Sequence, residues 1–173
     1  MDSASITMIV AILFLVAFSA FFSATETAFT SLNRLRMKAR ADSGDRRCAA
    51  ALALAEDYDK LLTTILIGNN VVNISAATVS TALFSKLLGM YGPTVSTIVL
   101  TVVVLIFGEV SPKSLAMENA EGFALFATPF MRLLMFLFIP LAWLFSQWKR
   151  LLSKIFHPKT DEGITEEELV TMV

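Results

Sequence analysis

The chain has 173 residues, 55% of them hydrophobic and only 17% charged, with a mean hydropathy of +0.68. Soluble domains carry about a quarter charged residues, so a soluble globular reading is disfavoured. The 14 Lys and Arg against 15 Asp and Glu leave a formal charge of -1, no surplus for gripping nucleic acid, and a lone cysteine, Cys48, with a lone histidine, His157, cannot build a disulfide framework, a zinc site or a supported Cys/His nucleophile pair.

Three stretches of spanning length hold no charge: residues 3–25, 61–85 and 87–108. A bilayer core takes about 20 helical residues. The expectation is an all-α membrane protein whose transmembrane domain covers residues 1–150, with spans near 5–30, 61–85 and 93–113. No Lys or Arg precedes the first stretch and no convincing small-residue cleavage motif closes it, so it reads as a span rather than a secretory leader.

Between the first two spans lie Arg34, Arg36, Lys38, Arg40, Arg46, Arg47 and Lys60, whereas only Lys86 separates the second from the third. The positive-inside rule places that first loop in the cytoplasm and the N-terminus outside. The loop reads as two short helices parted at Asp42, Ser43 and Gly44, with an apolar face from Cys48 to Ala55, a basic hairpin expected against anionic headgroups.

A fourth apolar stretch, 133–148, is shorter and contains Pro140, with Pro129 and Arg132 just before it. A fourth crossing would put the basic tail (Lys149, Arg150, Lys154, Lys159) outside, so residues 120–150 are expected to form a kinked belt along the inner interface, with Trp143 and Trp148 at headgroup depth. Thr165 and Glu168 have capping-box spacing, and residues 151–173 read as the start of a linker toward a cytoplasmic domain.

Polar residues inside spans are costly, and here they fall in stripes. Ser19, Ser23, Glu26 and Thr30 recur at steps of four, three and four on the first span. Asn69, Asn73, Ala76 and Ser80 make a second stripe with Gly68 and Asn70 beside it, and the third span holds Glu109 between Gly108 and the turn Ser111, Pro112, Lys113. A rise of about 1.5 Å per residue sets Ser19 and Ser23 roughly 20 and 26 Å from the outer face, Asn69 and Asn73 roughly 12 and 18 Å from the inner face, and Glu109 roughly 22 Å from the outer face. All three sets then meet in the inner half of a core about 30 Å thick.

Pro112 has no N–H and its ring crowds the carbonyl four residues back, so a helix break is expected that frees the oxygen of Gly108. Hydroxyl, amide and carbonyl oxygens with one carboxylate suit a hard cation, magnesium, calcium, manganese or sodium, rather than zinc or copper. The Asn and Ser residues could instead serve interhelical hydrogen bonds alone, and Glu26 could be solvated or paired with Arg34 or Lys113. Glu109, an intramembrane carboxylate beside a break, is the strongest functional candidate.

The segments FFSATETAFTSL (21–32), LLTTILIGNNVVNI (61–74) and FGEVSPKSLA (107–116), followed by GITEEEL, together resemble the transmembrane domain of the CNNM/CorC family of magnesium transporters over nearly the whole chain. The resemblance implies a homodimer of three-span subunits in the plasma membrane, the inner membrane of a bacterium, with a belt-like juxtamembrane helix and a following pair of CBS domains that binds ATP with magnesium. It implies a dehydrated Mg2+ within each subunit and efflux driven by the Na+ gradient. By motif position the ligands are Ser19, Ser23, Asn69 or Asn70 with Asn73, and Glu109, while Glu26, Pro112 and Lys113 are expected to gate or support the site. The rival expectation is a membrane-embedded divalent-cation sensor or assembly module whose ion is structural. An enzyme is disfavoured, since Glu109 has no paired carboxylate, histidine or serine nucleophile in an evident constellation.

Overall fold

Hydrocarbon offers no water to the backbone, so an isolated apolar segment must satisfy its own N–H and C=O groups, and a helix does so. The computed structural model describes residues 2–139 and contains no strand among them. Among the described residues, three helical runs are long and apolar enough to cross a membrane: Ser3–Thr30, Tyr58–Glu118, which doubles back on itself, and Ala120–Leu137.

Helix α1 (Ser3–Thr30) starts at Asp2, whose carboxylate accepts from the Ser5 N–H at 3.3 Å. Helices α2 (Arg34–Asp42) and α3 (Arg46–Glu56) form the hairpin, capped by Asn33, which accepts from the Arg36 N–H, and by Asp45, which accepts from the N–H groups of Arg47 and Cys48. Helix α4 (Tyr58–Leu88) ends at Gly89, whose φ of +56° suits glycine, and a 3-10 turn, Gly89–Tyr91, reverses the chain into α5 (Gly92–Val103). A Cβ on Gly92 would lie 2.4 Å from the Ser85 Cα, so this close approach of the two helices requires glycine. The buried hydroxyls of Ser80 and Ser96, 2.8 Å apart, tie α4 to α5.

The expected break near Pro112 does not occur. The third span passes from α5 through a seven-residue π-helix, Val104–Val110, into α6 (Ser111–Glu118), and the Ser111 N–H returns to the carbonyl of Ile106. Widening the helical register absorbs the proline, which takes its place in the first turn of α6 where a missing N–H is tolerated.

Helices α1 and α4 run antiparallel with three polar rungs. Asp2 and Lys86 form an ion pair at one end, Ser19 bonds Asn69 in the middle, and Thr30 meets the Tyr58 hydroxyl at 3.0 Å at the other. Seventeen residues separate Asp2 from Ser19 and Asn69 from Lys86, and eleven separate Ser19 from Thr30 and Tyr58 from Asn69, so the register holds along the pair without slip.

The densest core lies at the hairpin end, where Phe29, Met37, Cys48, Ala51, Leu61, Ile65, Ala124 and Met131 are each at most 2% exposed. Elsewhere Val10, Leu13, Phe14, Ile74, Ile98 and Phe107 turn outward, as lipid-facing side chains do. The apolar face of the hairpin, Cys48, Ala51, Leu54 and Ala55, is buried, with α3 packed on α7 and α4. Arg36 and Arg40 are drawn to Glu121 at 3.6 and 3.8 Å. The cause is α7 (Ala120–Leu137), which offers the hairpin a face of small residues, Ala124, Ala127 and Thr128, with Met131 beside them, while Phe126, Phe130, Leu133 and Leu137 stay exposed.

Helix α7, capped by Asn119 and continuous through Pro129, is the described part of the expected 120–150 belt. Residues 140–150, with Pro140, Trp143 and Trp148, lie outside the described residues, as do 151–173 with the Thr165 and Glu168 spacing.

Candidate functional site

The α1 stripe faces the other spans along its length. The Ser19 hydroxyl, fully buried, donates to Asn69 Oδ1 at 3.0 Å, and Asn73 Nδ2 approaches the same oxygen at 3.4 Å. Asn73 Oδ1 is enclosed and has no hydrogen-bond donor among the described residues. Gly108 in the π-helix closes the third side: a Cβ there would lie 3.1 Å from Ser19 Oγ, so α1 and the π segment meet at van der Waals contact only because the side chain is absent. Ser19, Asn69, Asn73 and Gly108 therefore converge from three spans.

The remaining candidates are arranged around this centre. Ser23 is buried one turn along α1. Glu109 follows Gly108, half-buried, about a quarter-turn around the π-helix, with no ion pair or hydrogen bond among the described residues. Asn70 is turned away, exposed, its Nδ2 donating to its own helix at the Leu66 carbonyl, 2.8 Å. Glu26 pairs with Lys113 at 3.3 Å, joining α1 to α6 on the hairpin side of the site. Pro112 has no N–H to return to the carbonyl of Gly108 or, in the wider register, of Phe107.

No group of three His, Cys, Asp or Glu side chains is close enough to hold a metal among the described residues. Any cation at this centre would meet mainly neutral oxygens, with Glu109 as the nearby negative charge. One contributor was not foreseen: Phe22 covers Gly68, and a Cβ on that glycine would fall 2.3 Å from the ring. The sequence signal for it was a glycine directly before the asparagine stripe, opposite a helix bearing a bulky ring between Ser19 and Ser23.

Comparison with known proteins gives this geometry a family. The chain is 36% identical over its full length to a UPF0053 protein of Haemophilus influenzae, covering 42% of that relative. It is 38% identical over 90% of its length to the UPF0053 inner membrane protein YfjD of Escherichia coli, covering 37% of it. A polyamine export protein of Haemophilus influenzae is 27% identical over 95% of the chain. The chain thus spans about two-fifths of the length of the first two relatives. The family model for the cyclin M transmembrane N-terminal domain matches residues 10–173, and the chain belongs to the CNNM family.

Proposed function

We propose that the chain is the membrane part of a transporter for a hard divalent cation, magnesium, held between the three spans and exported by coupling to the inward sodium gradient. The observation that carries the reading is Asn73 Oδ1, a buried amide oxygen without a donor beside the Ser19 and Asn69 oxygens. Leaving such an acceptor unsatisfied costs about 1–3 kcal/mol, which a cation coordinated there would recover. Magnesium takes six oxygens at about 2.0–2.1 Å and sheds water reluctantly, so it needs a dense oxygen cage. The protein supplies hydroxyl and amide oxygens at the centre, a backbone carbonyl deprived of its bond by Pro112, and one carboxylate, enough charge to attract an ion without trapping it.

The same reading has the N-terminus outside, the α2–α3 hairpin in the cytoplasm, and α7 along the inner interface. The charge distribution supports it, as does the flanking of α7 by the arginines of the hairpin. A bacterial inner membrane is the matching compartment, given the relative named for it. A homodimer and a CBS pair beyond the membrane part complete the proposal and rest on the family.

Proteoliposomes loaded with a magnesium-sensitive dye test it: influx or efflux should follow an imposed sodium gradient and vanish in Glu109→Ala and Asn73→Ala while helix content is kept. Unchanged flux in both variants would remove the site from the mechanism. A second reading, export of a polyamine cation, is favoured by the relative of that name. Spermidine flux that magnesium does not inhibit would decide for it.

A further inference from the structure

We propose that the groove between α3 and α7 binds an anionic phospholipid, with the headgroup phosphate among Arg46, Arg47 and Arg132 and an acyl chain along the aromatic cleft beside α1. The first part is an open cavity of about 640 Å3 bordered by these three arginines, with Phe126, Pro129 and Phe130 as its apolar wall. The second is a cleft of about 400 Å3 between α1 and α7, lined by Phe14, Phe18, Phe21 and Leu133 and again by Phe126 and Phe130. Phe126 and Phe130 line both, so the two spaces adjoin across these rings, one charged and the other almost wholly apolar.

The charge is uncompensated in a telling way. Arg36 and Arg40 of the same hairpin have acidic partners in Glu121 and Asp45. Among the described residues no acidic side chain pairs with Arg46, Arg47 or Arg132. Three guanidinium groups around one space repel each other unless an anion lies between them, and a phosphate diester matches the guanidinium fork. Pro129 has no N–H to return to the Leu125 carbonyl, which leaves an acceptor at the same rim for a headgroup hydroxyl. Free phosphate would satisfy the arginines but leave Phe126 and Phe130, 58% and 52% exposed, uncovered. A lipid satisfies both ends, and edge-to-face contacts of Phe21 with Phe126 and Phe130 fix the rings of the cleft wall in advance.

The test uses the full chain in a neutral detergent, with native mass spectrometry and thermal melting on addition of dioleoyl phosphatidylglycerol, dioleoyl phosphatidylcholine or inorganic phosphate. Phosphatidylglycerol should give a retained adduct and raise the melting temperature, and should outcompete phosphatidylcholine on the wild-type chain. Each arginine should be worth roughly fivefold in affinity. The triple variant Arg46→Gln, Arg47→Gln, Arg132→Gln should lose the adduct, whereas Arg34→Gln with Lys38→Gln, on α2 away from the groove, should keep it. Equal retention of the two lipids by the wild-type chain, an equal loss in both variants, or stabilisation by phosphate alone would overturn the proposal. Competition on the wild-type chain keeps it decidable if the triple variant fails to fold.

Discussion

Asn69 and Asn70 are chemically identical neighbours, yet one meets Ser19 across the helix interface and the other bonds its own backbone at the surface. In proteoliposome assays Asn69→Ala should therefore abolish magnesium flux and Asn70→Ala leave it near wild type; the reverse ranking would place the ion on the other flank of α4. This choice was not legible in the sequence, because adjacent helical residues differ by about 100° and only the rotation of α4 against α1 selects between them. The stripe on α1 was legible, since its period alone puts Ser19, Ser23, Glu26 and Thr30 on one face. Glycines report the same interface from the steric side. Gly68→Ala would push a Cβ into the Phe22 ring and should cost about 1–3 kcal/mol, seen as a lowered melting temperature. Gly108→Ala, with 3.1 Å to Ser19 Oγ, asks for a smaller shift and should cut flux more than stability.

Among the helices, the π segment is the element whose form no pattern in the chain announced. A proline after a glycine and a glutamate reads as a break, and the structure answers with a widened register instead, because in hydrocarbon a continuous helix keeps backbone groups paired, as the Ser111 N–H does with the Ile106 carbonyl. Pro112→Ala restores an N–H and permits ordinary α-helix, so amide exchange across residues 104–113 should slow while flux falls; faster exchange would show that the proline stabilises the segment. Helix α3 offers a prediction in pH. Hydrogen bonds from the Cys48 thiol and N–H, and from the Arg47 N–H, hold the Asp45 carboxyl down to about 2 from an ordinary 3.8, and burial pushes the Cys48 thiol up. A depressed carboxylate stabilises the fold fully above about 3.8 and loses that contribution as pH falls through about 2. Asp45→Ala should melt lower than wild type at neutral pH, with the gap closing toward pH 2.

For the molecule as a whole, charge-free runs and the placement of Lys and Arg were enough to read three apolar segments and a basic hairpin. The destination of that hairpin was not legible, because its partner α7 lies about 70 residues further along the chain and its small-residue face carries no signal of whom it meets. In the proposed topology, a cysteine introduced at Met90 in the Cys48→Ser background should react with an impermeant maleimide in intact cells, and one introduced at Lys38 only after permeabilisation. The opposite pattern would invert the orientation.

The three rungs between α1 and α4 bear on how any conformational cycle can proceed. Because they are spaced identically on both helices, a piston stroke of one against the other would sever all of them together, ion pair, serine-to-asparagine hydrogen bond and hydroxyl contact alike. Those two helices therefore favour moving as one wall, and in the proposed transporter the stroke that admits or releases cargo falls to the third span, where a register already loosened by one residue can tighten or relax against the close contact of Gly108 with Ser19.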